Sequence, residues 1–362
     1  MLRILHVTGG MDRGGLETLL VNLHKHIDRS KIQFDYLIQA KKPQAYEEDI
    51  KQLGGIVYRT STKGKDYFRY KRFLNEFFER HPEHKIVHGH LPNYAAIYLS
   101  EAKKHGKIAI VHSHNTKSPE IKDALIRIIN YPVRYIADYF FACSPQAGID
   151  HYGRKVNIRF LHNGIDSETY RFSEDIRRGI RRSRGIQSDN TLILGHVGRL
   201  DFQKNHKFLV SVFKCIHEKM PDSKLWLIGR GTLEEDIHAQ VHSLGLDDAA
   251  DFIGVVSNVN EYLMGMDAFV FPSVFEGLGI ALIEAEASGL PCFVSEAIQD
   301  EAVVSDRVAR MSLKDSPKAW AERIIAARTC NGRELYADTV KNAGFDIKQV
   351  AHELQEFYLS LV

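Results

Sequence analysis

The sequence predicts an α/β protein of two domains, each built on a parallel sheet. Three observations carry this. The chain has 362 residues, more than one ordinary core supports, so two domains are the natural division. Short apolar strands alternate with amphipathic helical stretches along most of its length, the pattern of parallel sheets with crossover helices. That alternation breaks after Phe160 and restarts at Thr191.

In the first half the strand candidates are Arg3–Thr8, Gln33–Gln39, Gly55–Thr60, Lys85–Gly89, Ile108–His112 and Tyr139–Ser144. Leu16–Ile27 and Tyr67–Arg80 carry the helical period. The break runs from Arg159 to Gly164 into a polar, basic stretch, Ser173–Arg184. The pattern resumes with Thr191–Gly198, followed by strands at Lys224–Gly229, Asp251–Val255, Ala268–Pro272 and Pro291–Ser295. A boundary near 165–190 follows. The chain divides into an N-terminal domain over 1–170, a C-terminal domain over 171–345 and a last helix over 346–362.

Composition narrows the class. Hydrophobic residues at 44% and charged residues at 26% suit a soluble globular enzyme. No apolar run is long enough to span a bilayer. Met1 to Val7 runs directly into a glycine turn, so it reads as a first strand and not a signal peptide. The four cysteines, Cys143, Cys215, Cys292 and Cys330, have no metal or redox spacing, which fits a reducing cytoplasm. Residues 1–165 carry 26 Lys and Arg against 16 Asp and Glu, while residues 166–362 carry 22 against 30. A basic first half suits anionic phosphates or the inner leaflet of a membrane, and equally suits ordinary solvated charge. Nucleic acid is not an expected partner.

Four local patterns bear on chemistry. Gly9 to Gly15 follows the first strand and precedes a helix, where glycines let backbone N–H groups approach a ligand at the positive helix end. A plain strand-to-helix turn has the same composition, and the spacing is neither G-x-G-x-x-G nor a P-loop. Gly198, Arg199 and Lys204 follow the first strand of domain two, at the sheet edge where such folds bind ligands. Two cations there suit a diphosphate, whose charge grows as it leaves; two exposed loop charges are the alternative.

Phe271-Pro272-Ser273-Val274-Phe275-Glu276-Gly277-Leu278-Gly279-Ile280 ends a strand, turns on glycines and opens a helix that carries Glu284. The helix N-terminus suits phosphate or sugar oxygens, and a carboxylate on each side can accept from vicinal hydroxyls. Glu276 as a helix cap is the bland reading. Glu284 sits among Ala281, Leu282, Ile283, Ala285 and Ala287, and a buried acid needs a partner. The last pattern is His88-Gly89-His90 with His112-Ser113-His114-Asn115 at two strand ends. Alternate residues share a strand face, a geometry metals use, but the sequence offers no third ligand with a convincing context. His114 and Asn115 fit better as hydrogen-bonding groups that line a site, set against the ordinary fate of a satisfied core histidine.

Taken in order, these motifs resemble glycosyltransferase family 4, a retaining family of GT-B fold in which two Rossmann-like domains face each other across a cleft. The matching elements are Gly14-Gly15-Leu16-Glu17, His114 with Asn115, Asn163-Gly164-Ile165-Asp166, Gly198-Arg199 with Lys204, and Glu276 with seven residues before Glu284. The His-Ser-His-Asn form is similar to enzymes of exopolysaccharide or capsule assembly. The resemblance implies that Arg199 and Lys204 hold the diphosphate and that Glu284 binds the ribose. It places Glu276 and the backbone of Gly277, Leu278, Gly279 and Ile280 on the donor hexose. Gly14, Gly15, Asn115, Asn163 and Gly198 fall among the donor contacts, with His114 near the transferred sugar. It further implies a UDP-sugar donor, GDP-sugars being used in the family too. The acceptor is a saccharide or lipid-linked saccharide, and the C-terminal helix crosses back to the first domain.

The expected activity is therefore hexosyl transfer with retention by front-side attack, in the cytoplasm and with peripheral contact to the cytoplasmic membrane face. The absence of a convincing Asp-x-Asp turn predicts no required metal or cofactor, with the cation pair in its place. Domain closure is expected, since Gly15 and Lys204 fall on different domains but meet one ligand. A nucleotide-sugar epimerase of the same fold is the alternative. A non-catalytic binding subunit is disfavoured by the retained Arg199, Lys204, Glu276 and Glu284, and an NAD enzyme by the missing fingerprint.

Overall fold

The computed structural model describes residues 1–362 except 13, 61–65, 91–93, 115–127, 129 and 328–330. The chain forms two compact units, one of Met1–Gly164 with Ile347–Val362, the other of Ile165–Asp346. The division falls at Gly164, a few residues before the expected 170, and the polar, basic stretch over 173–184 belongs to the second unit.

Unit 1 is a seven-stranded parallel sheet: β1 (Leu2–Thr8), β2 (Ile32–Ile38), β3 (Val57–Arg59), β4 (His84–Gly89), β5 (Ile108–Ser113), β6 (Tyr139–Ala142) and β7 (Ile158–Phe160). Their spatial order is β3-β2-β1-β4-β5-β6-β7, so the winding reverses between β1 and β4. Side chains alternate between the two faces. Ile4, Phe34, Ile86, Ile110 and Phe141 join one buried cluster, and Leu5, Val7, Leu37, Val87, Ala109 and Val111 join another. A parallel sheet covered on both faces reads as nearly continuous apolar strands, which is why these were legible.

The helix Ile347–Leu359 belongs to this unit. Ile347, Val350, Ala351, Leu354, Phe357 and Tyr358 form one helical stripe and enter the first of those clusters, against the helix Gly15–His26. Gln355 Oε1 accepts from the Asp28 backbone N–H at 2.7 Å.

Unit 2 repeats the plan with six parallel strands: β8 (Ile193–Val197), β9 (Lys224–Ile228), β10 (Ala250–Gly254), β11 (Ala268–Phe271), β12 (Cys292–Ser295) and β13 (Val308–Met311). The order is β10-β9-β8-β11-β12-β13, with the reversal between β8 and β11. The stretch over 173–184 is a helix, Glu174–Ser183, packed on the helix Val259–Gly265. Its basic residues are structural. Arg177 and Arg181 both reach Asp267, at 2.6 and 3.2 Å, and Arg181 also donates to the Thr191 carbonyl at 2.6 Å. A run of arginines hides this amphipathic helix in the sequence, because its buried stripe is made of aliphatic stems and paired heads.

β7 and β13, absent from the sequence expectation, are edge strands of three and four residues. Their partly exposed, charged residues break the apolar signature. Among the described residues no helix is long and apolar enough to cross a membrane.

Candidate active site

The reversal point of an open parallel sheet leaves a crevice at the carboxyl ends of its strands, where ligands bind. In unit 2 that place belongs to the loops after β8 and β11, neighbours in the sheet.

After β8, Gly198 donates its N–H to the Ile228 carbonyl at 2.9 Å. A Cβ there would lie 3.0 Å from Lys204 Cε and 3.1 Å from His196 Nε2, so glycine leaves room for the lysine stem to cross. A 3-10 turn, Phe202–Lys204, follows, and Asn205 at φ 55° turns the chain into the helix His206–Lys219. Asparagine tolerates this left-handed conformation better than most residues. After β11, Glu276 is 5% exposed, and Gly279 at φ 81° precedes the helix Ile280–Ala287. Leu278 is buried beside it.

The two loops are tied together. Lys204 Nζ donates to Glu276 Oε1 at 2.6 Å and stands 4.5 Å above the Phe271 ring. Gln203 Nε2 donates to the Phe275 carbonyl at 2.9 Å, and Val274 N–H donates to the Gln203 carbonyl at 2.8 Å. Glu284, on the helix, accepts from the Tyr170 hydroxyl at 2.8 Å. Burial raises its carboxyl pKa to about 7, the Tyr170 bond opposing the shift.

Of the predicted residues in unit 2, the structure therefore joins Lys204 to Glu276 directly and places Gly277, Leu278, Gly279, Ile280 and Glu284 on one turn and helix. Arg199 is not drawn into that pair. Its side chain is 79% exposed and lies 3.6 Å from Asp201. Tyr170, Gln203 and Phe271 were missed. Tyr170 falls in the stretch 165–190 where the domain boundary was expected, and its pairing with Glu284 spans a sequence separation that no local pattern carries.

In unit 1, Gly14 and Gly15 stand at the start of the helix Gly15–His26, and Thr18 N–H donates to the Gly14 carbonyl at 2.9 Å. Asn163 is buried, and Gly164 packs close to Ile347. Asn115 lies outside the described residues. His114, just past β5, places Nε2 2.8 Å from His90 Nδ1. Burial lowers its pKa to about 4, with Asn163 opposing, so the ring is neutral at physiological pH. The third imidazole that the sequence did not offer comes from β1. His6, His88 and His90, and likewise His90, His112 and His114, bring ring nitrogens within 4.8 Å of one another. Both nitrogens of His90 are already engaged, by His6 at 2.9 Å and by His114 at 2.8 Å.

Two reversal-point sheets, one with a lysine–glutamate clasp and a glycine-led helix at its carboxyl edge, define an enzyme of the GT-B class. The solved structure of Anabaena HepE in complex with UDP and glucose superposes with a TM-score of 0.82 at 18% identity, over 99% of this chain and 100% of that one. The chain belongs to glycosyltransferase family 4: residues 13–169 match the model for Glycosyltransferase Family 4 and residues 177–344 that for Glycosyl transferases group 1. EpsF of Bacillus subtilis (strain 168), which carries a glycosyltransferase name, is 32% identical over 369 residues, 98% of this chain and 96% of that protein. The capsular polysaccharide biosynthesis glycosyltransferase CapH of Staphylococcus aureus is 23% identical over 380 residues, 99% of each chain. All three carry transferase or nucleotide-complex names, and none is called an epimerase, so that alternative is set aside.

Proposed function

We propose that this glycosyltransferase moves a hexose from a UDP-sugar to a saccharide or lipid-linked saccharide, with retention, during cell-surface polysaccharide synthesis on the cytoplasmic face of the membrane. The observation that carries the reading is the Lys204–Glu276 clasp at the reversal point of unit 2, 2.6 Å long and set beside a helix N-terminus. The names of CapH and of the HepE complex supply the chemistry of the substrates by likeness.

An incoming diphosphate competes with Glu276 for the Lys204 ammonium. As the ammonium turns to phosphate, the Glu276 carboxylate becomes an acceptor for donor-sugar hydroxyls, and the N–H groups of Gly277 to Ile280 face the same ligand. Arg199, exposed on the loop, reaches the diphosphate from there. Glu284, steadied by Tyr170, accepts from the ribose hydroxyls. The acceptor hydroxyl attacks C1 on the face from which the diphosphate leaves. The C1–O bond breaks, the new glycosidic bond forms, and a phosphate oxygen takes the acceptor proton. Charge grows on the leaving diphosphate, so fixed cations lower the barrier more than they tighten ground-state binding. His114, with Gly15, Asn115 and Asn163, contacts the donor from its own unit in this reading. No metal is required where Lys204 and Arg199 neutralise the diphosphate.

The test is a thermal-shift panel of UDP-, GDP- and ADP-sugars followed by turnover of the ligand that raises the melting temperature most, since native-state binding stabilises. Transfer of hexose to a lipid-linked saccharide in EDTA supports the proposal. Turnover abolished by EDTA and restored by Mg²⁺ or Mn²⁺ removes the metal-free mechanism, and stabilisation by GDP-sugars alone reassigns the donor.

A further inference from the structure

His84 opens β4 at the amino edge of the unit 1 sheet, the end opposite to His90. It is fully buried, and its Nε2 lies 2.8 Å from Asp35 Oδ2. The Asp35 carboxylate accepts from every side. Arg3 donates to Oδ2 at 2.7 Å and to Oδ1 at 2.5 Å, and the Ile56 N–H donates to Oδ1 at 2.8 Å. An acceptor-only neighbour fixes a proton on His84 Nε2. In the neutral ring Nδ1 is then bare, and among the described residues it has no hydrogen-bond partner. A buried polar atom left open in this way needs a partner.

Two further ligand groups stand beside it. His81, Glu83 and His84 each bring one ligand atom within 4.8 Å of the others. His81 Nδ1 is 2.9 Å from Glu83 Oε1. The His81 ring packs against Phe77 and Tyr58, with centroids 4.5 and 4.6 Å away. Lys107 Nζ donates to the His81 and Pro82 carbonyls at 3.2 and 3.1 Å, which pins the turn that carries all three groups. Glu83 and Asp35 offset the charges of Lys107 and Arg3 around it. A carboxylate behind one imidazole nitrogen, with the other nitrogen open, is how histidines are oriented on zinc. Two imidazoles, one carboxylate and a fourth position for water suit Zn²⁺, whereas Mg²⁺ and Ca²⁺ call for oxygen ligands.

We propose that His81, Glu83 and His84 form a Zn²⁺ site, with Asp35 orienting His84 from behind. The ion takes the place of the proton that His81 Nδ1 shares with Glu83, and that proton moves to His81 Nε2. The bound ion ties the end of the helix Tyr67–Arg80 to the start of β4 and so stabilises unit 1. It plays no part in the transfer reaction and does not rest on the function proposed above.

The test is titration calorimetry of the full chain, stripped of metal, with Zn²⁺ and with Mg²⁺. Thermal melts and long-range ¹H–¹⁵N spectra of ¹⁵N-histidine-labelled protein follow. One Zn²⁺ per chain should bind more tightly than any other and raise the melting temperature, and Mg²⁺ should do neither. His84 should carry its proton on Nε2 throughout, with its Nδ1 signal moving as zinc is added. His81→Ala and Glu83→Ala, at side chains partly open to solvent, should keep the fold and each weaken zinc binding at least about tenfold. Zinc that binds both variants as it binds the wild type, zinc that moves only the His6, His88 and His90 signals, or no zinc binding overturns the proposal. So does a metal-free His84 whose only proton is on Nδ1.

Discussion

Replacing Lys204 with alanine is the sharpest perturbation of the site in unit 2, because it acts on stability and on rate through different partners. The side chains of Lys204 and Glu276 keep only 14% and 6% of their exposure. Removing one member of a buried ion pair costs about 3–5 kcal/mol, chiefly because the remaining charge stays in a poorly solvated place. The residual exposure of Lys204 points to the lower end, about 3 kcal/mol. For a unit of this length each kcal/mol moves the melting temperature by about 2–4 °C, so calorimetry should show a fall of roughly 6–12 °C. Adding Glu276→Gln removes the stranded charge and should return most of that loss. Initial rates at saturating donor should separate from this. The single variant loses at least about tenfold, or ~1.4 kcal/mol of transition-state stabilisation, and the double variant recovers none of it. A Lys204→Ala protein that melts within about 2 °C of the wild type and turns over at full rate would refute both the buried clasp and its part in catalysis.

Three other variants test neighbouring features. Tyr170→Phe removes the bond that favours ionised Glu284, so the pH midpoint for nucleotide-sugar binding, expected near 7, should move upward in titration calorimetry; an unmoved midpoint separates Glu284 from the ribose. Burial raises Glu286 to about 7 although Val304 and Ser305 N–H groups donate to it at 3.0 and 2.8 Å. The native state therefore holds a proton that the unfolded state releases near pH 4.5, and stability falls as pH rises from about 4.5 to about 7. Glu286→Gln should flatten that fall and raise stability at pH 8 by about 1–3 kcal/mol, with no difference below about pH 4.5; denaturant melts at both pH values check it. Gly279→Ala forces a side chain to φ 81° with its Cβ 3.2 Å from the Phe271 ring. It should cost about 1–2 kcal/mol in chemical denaturation and weaken donor affinity, and a neutral result would show that the turn relaxes freely.

Much of this was legible because it is local. Apolar runs such as Leu225 to Ile228 and Phe269 to Phe271 name buried parallel strands without reference to their neighbours. The glycine turn before Ile280 and the spacing of Glu276 to Glu284 lie within a single strand–turn–helix segment, so one stretch of chain carries that motif whole. The edge strand Val308–Met311 and the helix Glu174–Ser183 were not legible, since their apolar surface is small or made of paired arginine stems.

The sequence by itself determined two parallel α/β units, the family and the residue types offered to a sugar nucleotide, because periodicity and motif spacing are properties of consecutive residues. Only the tertiary structure decided which of those residues meet. Lys204 reaches Glu276 and Arg199 faces Asp201, while Tyr170 finds Glu284 across 114 positions. His6 enters the imidazole chain because the sheet sets β1 beside β4 and not in sequence order. Strand order and the paths of long side chains are set by packing over the whole domain, and no short window of sequence contains them.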